Sequence, residues 1–203
     1  MPKKFFLEKR PHNGMTYEEY MDNFRNTVEM IKSNLDEIDD PNLDYMMMNF
    51  QRSQRIEKSY VVNDELCQMA KKIDTPQLWM VLTENWCGDS AQTLPYINKI
   101  AKCNPIIELK ILERDKNLDI MDLYLTNGSR SIPKLVAFDY EGNELFQWGP
   151  RPKEAQDLII RAKEAGKSKE EFMKELHLWY GRNRGKTIEE EFKAIIGNLI
   201  QPS

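Results

Sequence analysis

Between residues 78 and 165 the chain alternates short apolar runs with helical periodicities, and this order constrains the fold more than any other feature. Leu78-Trp79-Met80-Val81-Leu82 is a continuous apolar run of strand length, the pattern of a strand covered on both faces. Helical spacing follows from Ser90 to about Lys102. Ile106–Leu112 reads as a second buried strand. Asn117–Leu125 reads as a helix that ends at the C-cap pair Asn127-Gly128. Lys134–Asp139 is a third strand, Tyr140-Glu141-Gly142-Asn143 a hairpin turn, and Glu144–Trp148 the returning fourth strand. Lys153–Ala165 is a helix closed by Gly166. Parallel crossovers combined with an antiparallel hairpin predict an α/β fold with a mixed sheet of four or five strands flanked by helices.

Both flanks read as helical. Thr16-Tyr17-Glu18-Glu19 has the pattern of a capping box, in which the threonine oxygen and the glutamate satisfy free N–H groups at a helix start. Tyr20, Phe24, Val28, Ile31 and Leu35 then recur on one face, and Asp39-Asp40-Pro41-Asn42 breaks the helix. Further helical stretches run from Met46 to Ile56 and near Asp64–Lys72. Met46-Met47-Met48 is either a flexible contact surface or core filling, and core filling is the preferred reading. Ser168-Lys169-Glu170-Glu171 and Thr187-Ile188-Glu189-Glu190 predict two more capped helices. Phe172, Leu176 and Trp179 mark the face of one, and Ile188, Phe192, Ile195, Ile196 and Leu199 that of the other. The expected organisation is a helical N-terminal extension over 1–75, an α/β domain over 76–166 and a helical C-terminal extension over 167–203. The apolar faces of the extensions should pack on the sheet, on each other or on a second copy of the chain.

A net charge of -4 argues against nucleic acid as a partner, since that affinity comes largely from neutralised phosphates. No run approaches the ~18–20 apolar residues needed to cross a bilayer, so no membrane role is expected. The N-terminus turns charged before a signal-peptide core forms, and three cysteines do not make a secreted disulfide framework. The expected location is the cytoplasm. His12 and His177 have no metal-ligand spacing and read as surface or packing residues; no metal and no cofactor are expected.

One thiol occupies a conspicuous place. Trp86-Cys87-Gly88-Asp89-Ser90 stands between the first buried strand and the helix that follows, with Pro95 eight residues after Cys87. Gly128-Ser129-Arg130-Ser131-Ile132-Pro133-Lys134-Leu135 precedes the third strand. Gly142-Asn143-Glu144 falls on the hairpin turn and Gly149 ends the last strand. In this order and spacing, residues 76–166 resemble the thioredoxin family. The resemblance implies that Cys87 is the nucleophile, that Gly88, Asp89 and Ser90 open its helix, and that Trp86 walls the site. It also implies that Ile132-Pro133 is a cis bond whose preceding backbone pairs with an extended substrate beside the cysteine. Arg130 is either a surface charge or a group near the thiolate.

The sequence departs from the family in coupled ways. Ser90 stands where the resolving cysteine belongs. The buried acid six residues before the first cysteine is Val81, and the lysine that accompanies it is Ile111. A helix N-terminus favours thiolate. Asp89 opposes it by on the order of 1 kcal/mol at ~7 Å and an effective dielectric of ~40, which leaves the net direction open. Cys103, at ~1.5 Å per residue along one helix, is ~24 Å from Cys87, beyond disulfide reach. It reads as a small buried residue, and Cys67 is weighed as an internal partner of Cys87.

The expected function is therefore monothiol exchange or mixed-disulfide formation. Cys87 and Ser90 would form the catalytic pair, and Trp86, Gly88, Asp89, Ile132 and Pro133 would bind substrate. The partners would be a protein or small-molecule thiol or disulfide and an external recycling thiol. The alternative is a non-catalytic thioredoxin-fold binding module in which the extensions hold a partner.

Overall fold

The computed structural model describes residues 2–33 and 43–200. Leu35 and the helix-breaking cluster at 39–42 lie outside the described residues. Helices α1 (Lys4–Leu7), α2 (Tyr17–Ser33), α3 (Leu43–Ser59) and α4 (Asp64–Ala70) precede strand β1 (Gln77–Thr83). Then come α5 (Gly88–Ala101), β2 (Ile107–Glu113), α6 (Leu118–Met121), β3 (Lys134–Asp139) and β4 (Glu144–Trp148). Helices α7 (Lys153–Glu164), α8 (Lys169–Asn183) and α9 (Lys186–Leu199) complete the chain.

The four strands form one sheet in the order β2-β1-β3-β4. β1 runs parallel to β2 and antiparallel to β3, and β3 pairs antiparallel with β4. This is the mixed sheet expected of the sequence, with β1 at its centre. Every residue of β1 is buried, because alternate side chains enter two different cores. Trp79 and Val81 join residues of α2, α3, α4, α5 and α9 on one face. Leu78, Met80 and Leu82 join Phe5, Phe6, Ile120, Met121 and Tyr124 on the other. Outside the sheet, Met15 exchanges two backbone hydrogen bonds with Ile111, of 2.9 and 2.8 Å, and covers part of the free edge of β2.

The helical extensions close the core. In α9, Phe192 and Ile196 are fully buried, and the Phe192 ring stands 5.7 Å from Trp79 and 5.8 Å from Trp148. Glu191 accepts from Trp148 Nε1 at 2.6 Å. α7 and α8 build a small third core around Ala155, Ile159, Leu176 and Tyr180. The capping boxes at Thr16 and Ser168 form as the sequence predicts. Met46 and Met47 pack on the main core, whereas Met48 is exposed.

Three local expectations are corrected. The helix expected over 117–125 is only Leu118–Met121. Asn127 and Gly128 both have positive φ, and Thr126 and Ser129 exchange backbone hydrogen bonds around them. This pair therefore makes a two-residue hairpin turn of the primed kind, which demands left-handed backbone at both positions. Thr187 is not an N-cap: α9 begins after Gly185, and Asn183 Oδ1 accepts from Thr187 N at 3.1 Å. Cys103 is not a lone buried residue. It is disulfide-bonded to Cys67, with Cα atoms 5.3 Å apart, so Cys67 is not a partner for Cys87. Sequence spacing excluded only a Cys87–Cys103 bond. The docking of α4 against the end of α5, which Asn104 fastens by donating to the carbonyls of Ala70 and Ile73, brings the other pair together.

Two stability predictions follow from this packing. Phe192→Ala should lower unfolding free energy by about 3–5 kcal/mol, since it opens a cavity against three other aromatic rings; urea titration reads this directly. Reducing Cys67–Cys103 should lower it by about 4 kcal/mol or less, the loop-closure entropy for this separation. Melting with and without reductant, using Cys67→Ala as the control that reductant no longer shifts, provides the measurement.

Candidate functional site

β1 ends at Thr83, the chain turns through Trp86, and Cys87 is the N-cap of α5 in extended backbone conformation. A residue there has its side chain beside the free N–H groups of the first turn. Cys87 Sγ accepts from Ser90 N at 3.5 Å and donates to the Ile132 carbonyl at 3.3 Å. The Ile132-Pro133 peptide is cis. Its loop faces the Cys87 turn because β3 begins at Lys134, which pairs with Leu82 at the end of β1. Residues separated by forty-five positions thus meet at one thiol. Cys87, Asp89, Ser90, Ile132 and Pro133 are buried, Gly88 is half-buried, and Trp86 is exposed with the Arg114 guanidinium 4.8 Å from its ring centre. Arg130 lies outside this group, ion-paired with Asp122 on the surface.

The surroundings of Cys87 favour the thiol. Burial, followed by the Asp89 carboxylate, pushes it up to about 11, against the hydrogen bonds from Ser90. The balance that helix dipole and Asp89 leave open is decided by desolvation, a quantity local sequence does not contain. Behind the thiol, Thr83 Oγ1 donates to Ser90 Oγ at 2.6 Å. Val81 and Ile111 are direct neighbours on β1 and β2, both fully buried. Two apolar side chains therefore fill the space in which the resemblance expects an acid and a lysine.

Asp89 is not a free charge. Arg151 donates to Asp89 Oδ2 through Nε at 3.0 Å and again through Nη2, and Tyr180 donates to Oδ1 at 2.7 Å. Gln156 accepts from Arg151 Nη1 at 3.0 Å. A carboxylate buried at the second position of a helix needs such partners. The sequence signals the need but not the partner: nothing distinguishes Arg151 from the other 28 basic residues of a total of 29. Tyr180, held well above the ordinary tyrosine range by burial and then by Asp89, stays neutral and serves as a donor.

A cleft of about 1300 Å³ opens at Cys87, Trp86 and Gly88 between α3 and α8. α3 supplies Met48, Arg52 and Arg55 to it, and α8 supplies Met173, His177 and Leu178. The approach of α8 is close: a Cβ on Gly88 would stand 3.2 Å from His177 Cε1. His177 belongs to this cleft, not to a plain surface. Burial, then Arg52, depresses it to about 4, so it is neutral near pH 7. Ile132 and Pro133 do not line the cleft. Among the described residues no group of histidine, cysteine and acidic side chains is arranged to hold a metal. No helix among them is long and apolar enough to cross a membrane.

A family model described as thioredoxin matches residues 36–165, about two thirds of the chain. No curated protein matches it. Among solved structures, an HIV epitope scaffold carrying the 4E10 epitope is similar at 21% identity and a TM-score of 0.53 over 91% of this chain and 99% of its own. A protein of unknown function from Pseudomonas aeruginosa is similar at 18% identity and a TM-score of 0.49 over 92% of this chain and 95% of its own. The first likeness speaks to the fold alone; it spans most of the chain, flanking helices included.

Asp89→Asn should test the electrostatics. It is nearly isosteric but replaces one acceptor oxygen with a donor NH2, removes the charge that, after burial, raises the thiol, and leaves the Arg151 guanidinium uncompensated nearby. Iodoacetamide labelling of Cys87 at pH 7 should accelerate by about three- to tenfold, a gain in thiolate partly offset by lower nucleophilicity. Stability should fall by about 3 kcal/mol, the cost of breaking a buried pair. An unchanged labelling rate would show that Asp89 has no hold on the thiol.

Proposed function

This chain belongs to the thioredoxin family, and on that footing we propose that it is a monothiol exchange protein acting through Cys87. Its partners are a protein or low-molecular-weight disulfide and an external recycling thiol. The observation that carries the reading is the position of Cys87 Sγ. It sits at the start of α5, between the Ser90 N–H and the Ile132 carbonyl, with the cleft at its door.

The chemistry needs one thiolate. Cys87 loses its proton to solvent and attacks one sulfur of the partner disulfide. That S–S bond breaks, a Cys87–partner disulfide forms, and the departing partner thiolate takes up a proton. Ser90 has no sulfur, so the mixed disulfide persists until an external thiolate attacks its partner sulfur. The Cys87–partner S–S bond then breaks, Cys87 leaves as thiolate and takes up a proton, and a disulfide between the external thiol and the partner forms. Trp86 and Gly88 shape the entrance, Asp89 is held behind it by Arg151 and Tyr180, and the backbone before Pro133 is the group against which an extended substrate would pair. Release therefore needs surroundings in which an external thiol is available.

One observation favours a second reading, a binding module in which α3 and α8 hold a partner and Cys87 is incidental. With the thiol near 11, only about one molecule in 10⁴ is thiolate at pH 7. Exchange in the resting state is therefore slow, and turnover requires a partner whose docking changes the thiol's surroundings.

The pH profile separates the readings. Labelling of Cys87 should rise close to tenfold per pH unit from 7 to about 10, where a peptide thiol levels off near its ordinary value of about 8.5. A peptide disulfide should give a stable mixed disulfide that only added thiol releases. Ser90→Cys should raise insulin reduction several-fold, to a level still limited by Val81 and Ile111. If no mixed disulfide forms at any pH, and Cys87→Ala leaves partner binding intact, the binding-module reading takes its place.

A further inference from the structure

The cleft beside Cys87 is chemically lopsided. Among the described residues, Arg52, Arg55 and Lys169 line it and make no ion pair, while the one acid in that lining, Glu170, is paired with Lys174 at 2.8 Å. The whole chain carries a net charge of -4, so this cationic lining is a local feature rather than a reflection of composition. The remaining walls are apolar and open to solvent: Tyr45 is 53% exposed, Met48 42% and Leu178 58%. Exposed apolar side chains gathered around one cleft are a docking signature, and methionine adapts to irregular partners. At about 1300 Å³ the cleft exceeds the ~300–1000 Å³ typical of small-molecule sites.

From this lining we propose that the α3–α8 cleft docks an acidic peptide segment of a partner protein, its carboxylates on Arg52, Arg55 and Lys169 and its apolar side chains against Tyr45, Met48, Met173 and Leu178. Guanidinium groups grip carboxylates through two parallel hydrogen bonds, which selects an acidic segment over a neutral one. A small polar thiol would leave the Met and Leu walls unused. The segment would pass Cys87 in a cleft that Ile132 and Pro133 do not line, so the flanking helices would add partner selection to that of the proline loop. The proposal concerns the site read above as an exchange site, but it does not need Cys87 to react.

The test uses the full chain with Cys87→Ser, so that no exchange contributes. Two fluorescent peptides of identical Leu and Phe content, one rich in Glu and one with Lys in its place, are titrated by anisotropy. The Glu peptide should bind at least about tenfold more tightly and weaken as salt rises. Arg52→Glu/Arg55→Glu should lose about tenfold or more. Lys72→Glu, near the far end of α5, should change nothing. If the double variant fails to melt cooperatively, Arg55→Ala/Lys169→Ala, at two exposed positions, takes its place with the same expected direction. Equal affinity for both peptides, or undiminished binding by the charge variants, overturns the proposal. So does displacement of the Glu peptide by millimolar reduced glutathione, which would make the cleft a small-anion site. Failure of the exchange reading is seen separately, as absence of a mixed disulfide in the unaltered protein.

Discussion

Burial of β1 on both faces is the constraint from which the rest of the architecture follows. A strand whose side chains are apolar in every direction cannot lie on a surface, so each face must be roofed. Phe5 and Phe6 of α1, Ile120 and Met121 of α6, and Tyr124 roof one face. The other is larger, and the central α/β elements do not cover it alone. Residues of α2, α3 and α4 from one flank and of α9 from the other complete that core. The extensions are thus structural parts of the same hydrophobic unit, and their arrival near the sheet is what places α3 and α8 on either side of Cys87.

The Asp89–Arg151–Tyr180 network ties this architecture to the chemistry. It joins the first turn of α5 to the segment after β4 and to α8 by charge-assisted hydrogen bonds in a buried setting. The same carboxylate adds to burial in holding Cys87 in its thiol form. A single side chain therefore docks a flanking helix and helps hold Cys87 in its thiol form.

Much of the site was legible because it rests on local rules. A continuous apolar run, a Trp-Cys-Gly turn, a helix start and an Ile-Pro before a third strand specify which residues surround the thiol. The joint spacing implies that the two segments meet. Capping boxes at Thr16 and Ser168 were readable for the same reason, since donor and acceptor lie three residues apart. The Thr187 pattern has the same spacing of hydroxyl and glutamate and fails, because Arg184 and Gly185 adopt left-handed backbone and start α9 earlier. Asn127-Gly128 was readable as punctuation, and its use as a hairpin turn followed from the short α6 and the pairing of Thr126 with Ser129.

The sequence by itself determined the α/β order, the two-faced central strand, and the place of Cys87 at a helix start with a serine, not a second cysteine, at position 90. These depend on interactions within a few residues or on a periodicity that any packing must respect. The tertiary structure alone decided that Cys67 pairs with Cys103, that Arg151 and Tyr180 hold Asp89, and that burial outweighs the helix dipole at Cys87. It alone assembled a cationic, methionine-walled cleft from α3 and α8. Each of these depends on distance and desolvation between segments tens of residues apart, and neither quantity is written in local order.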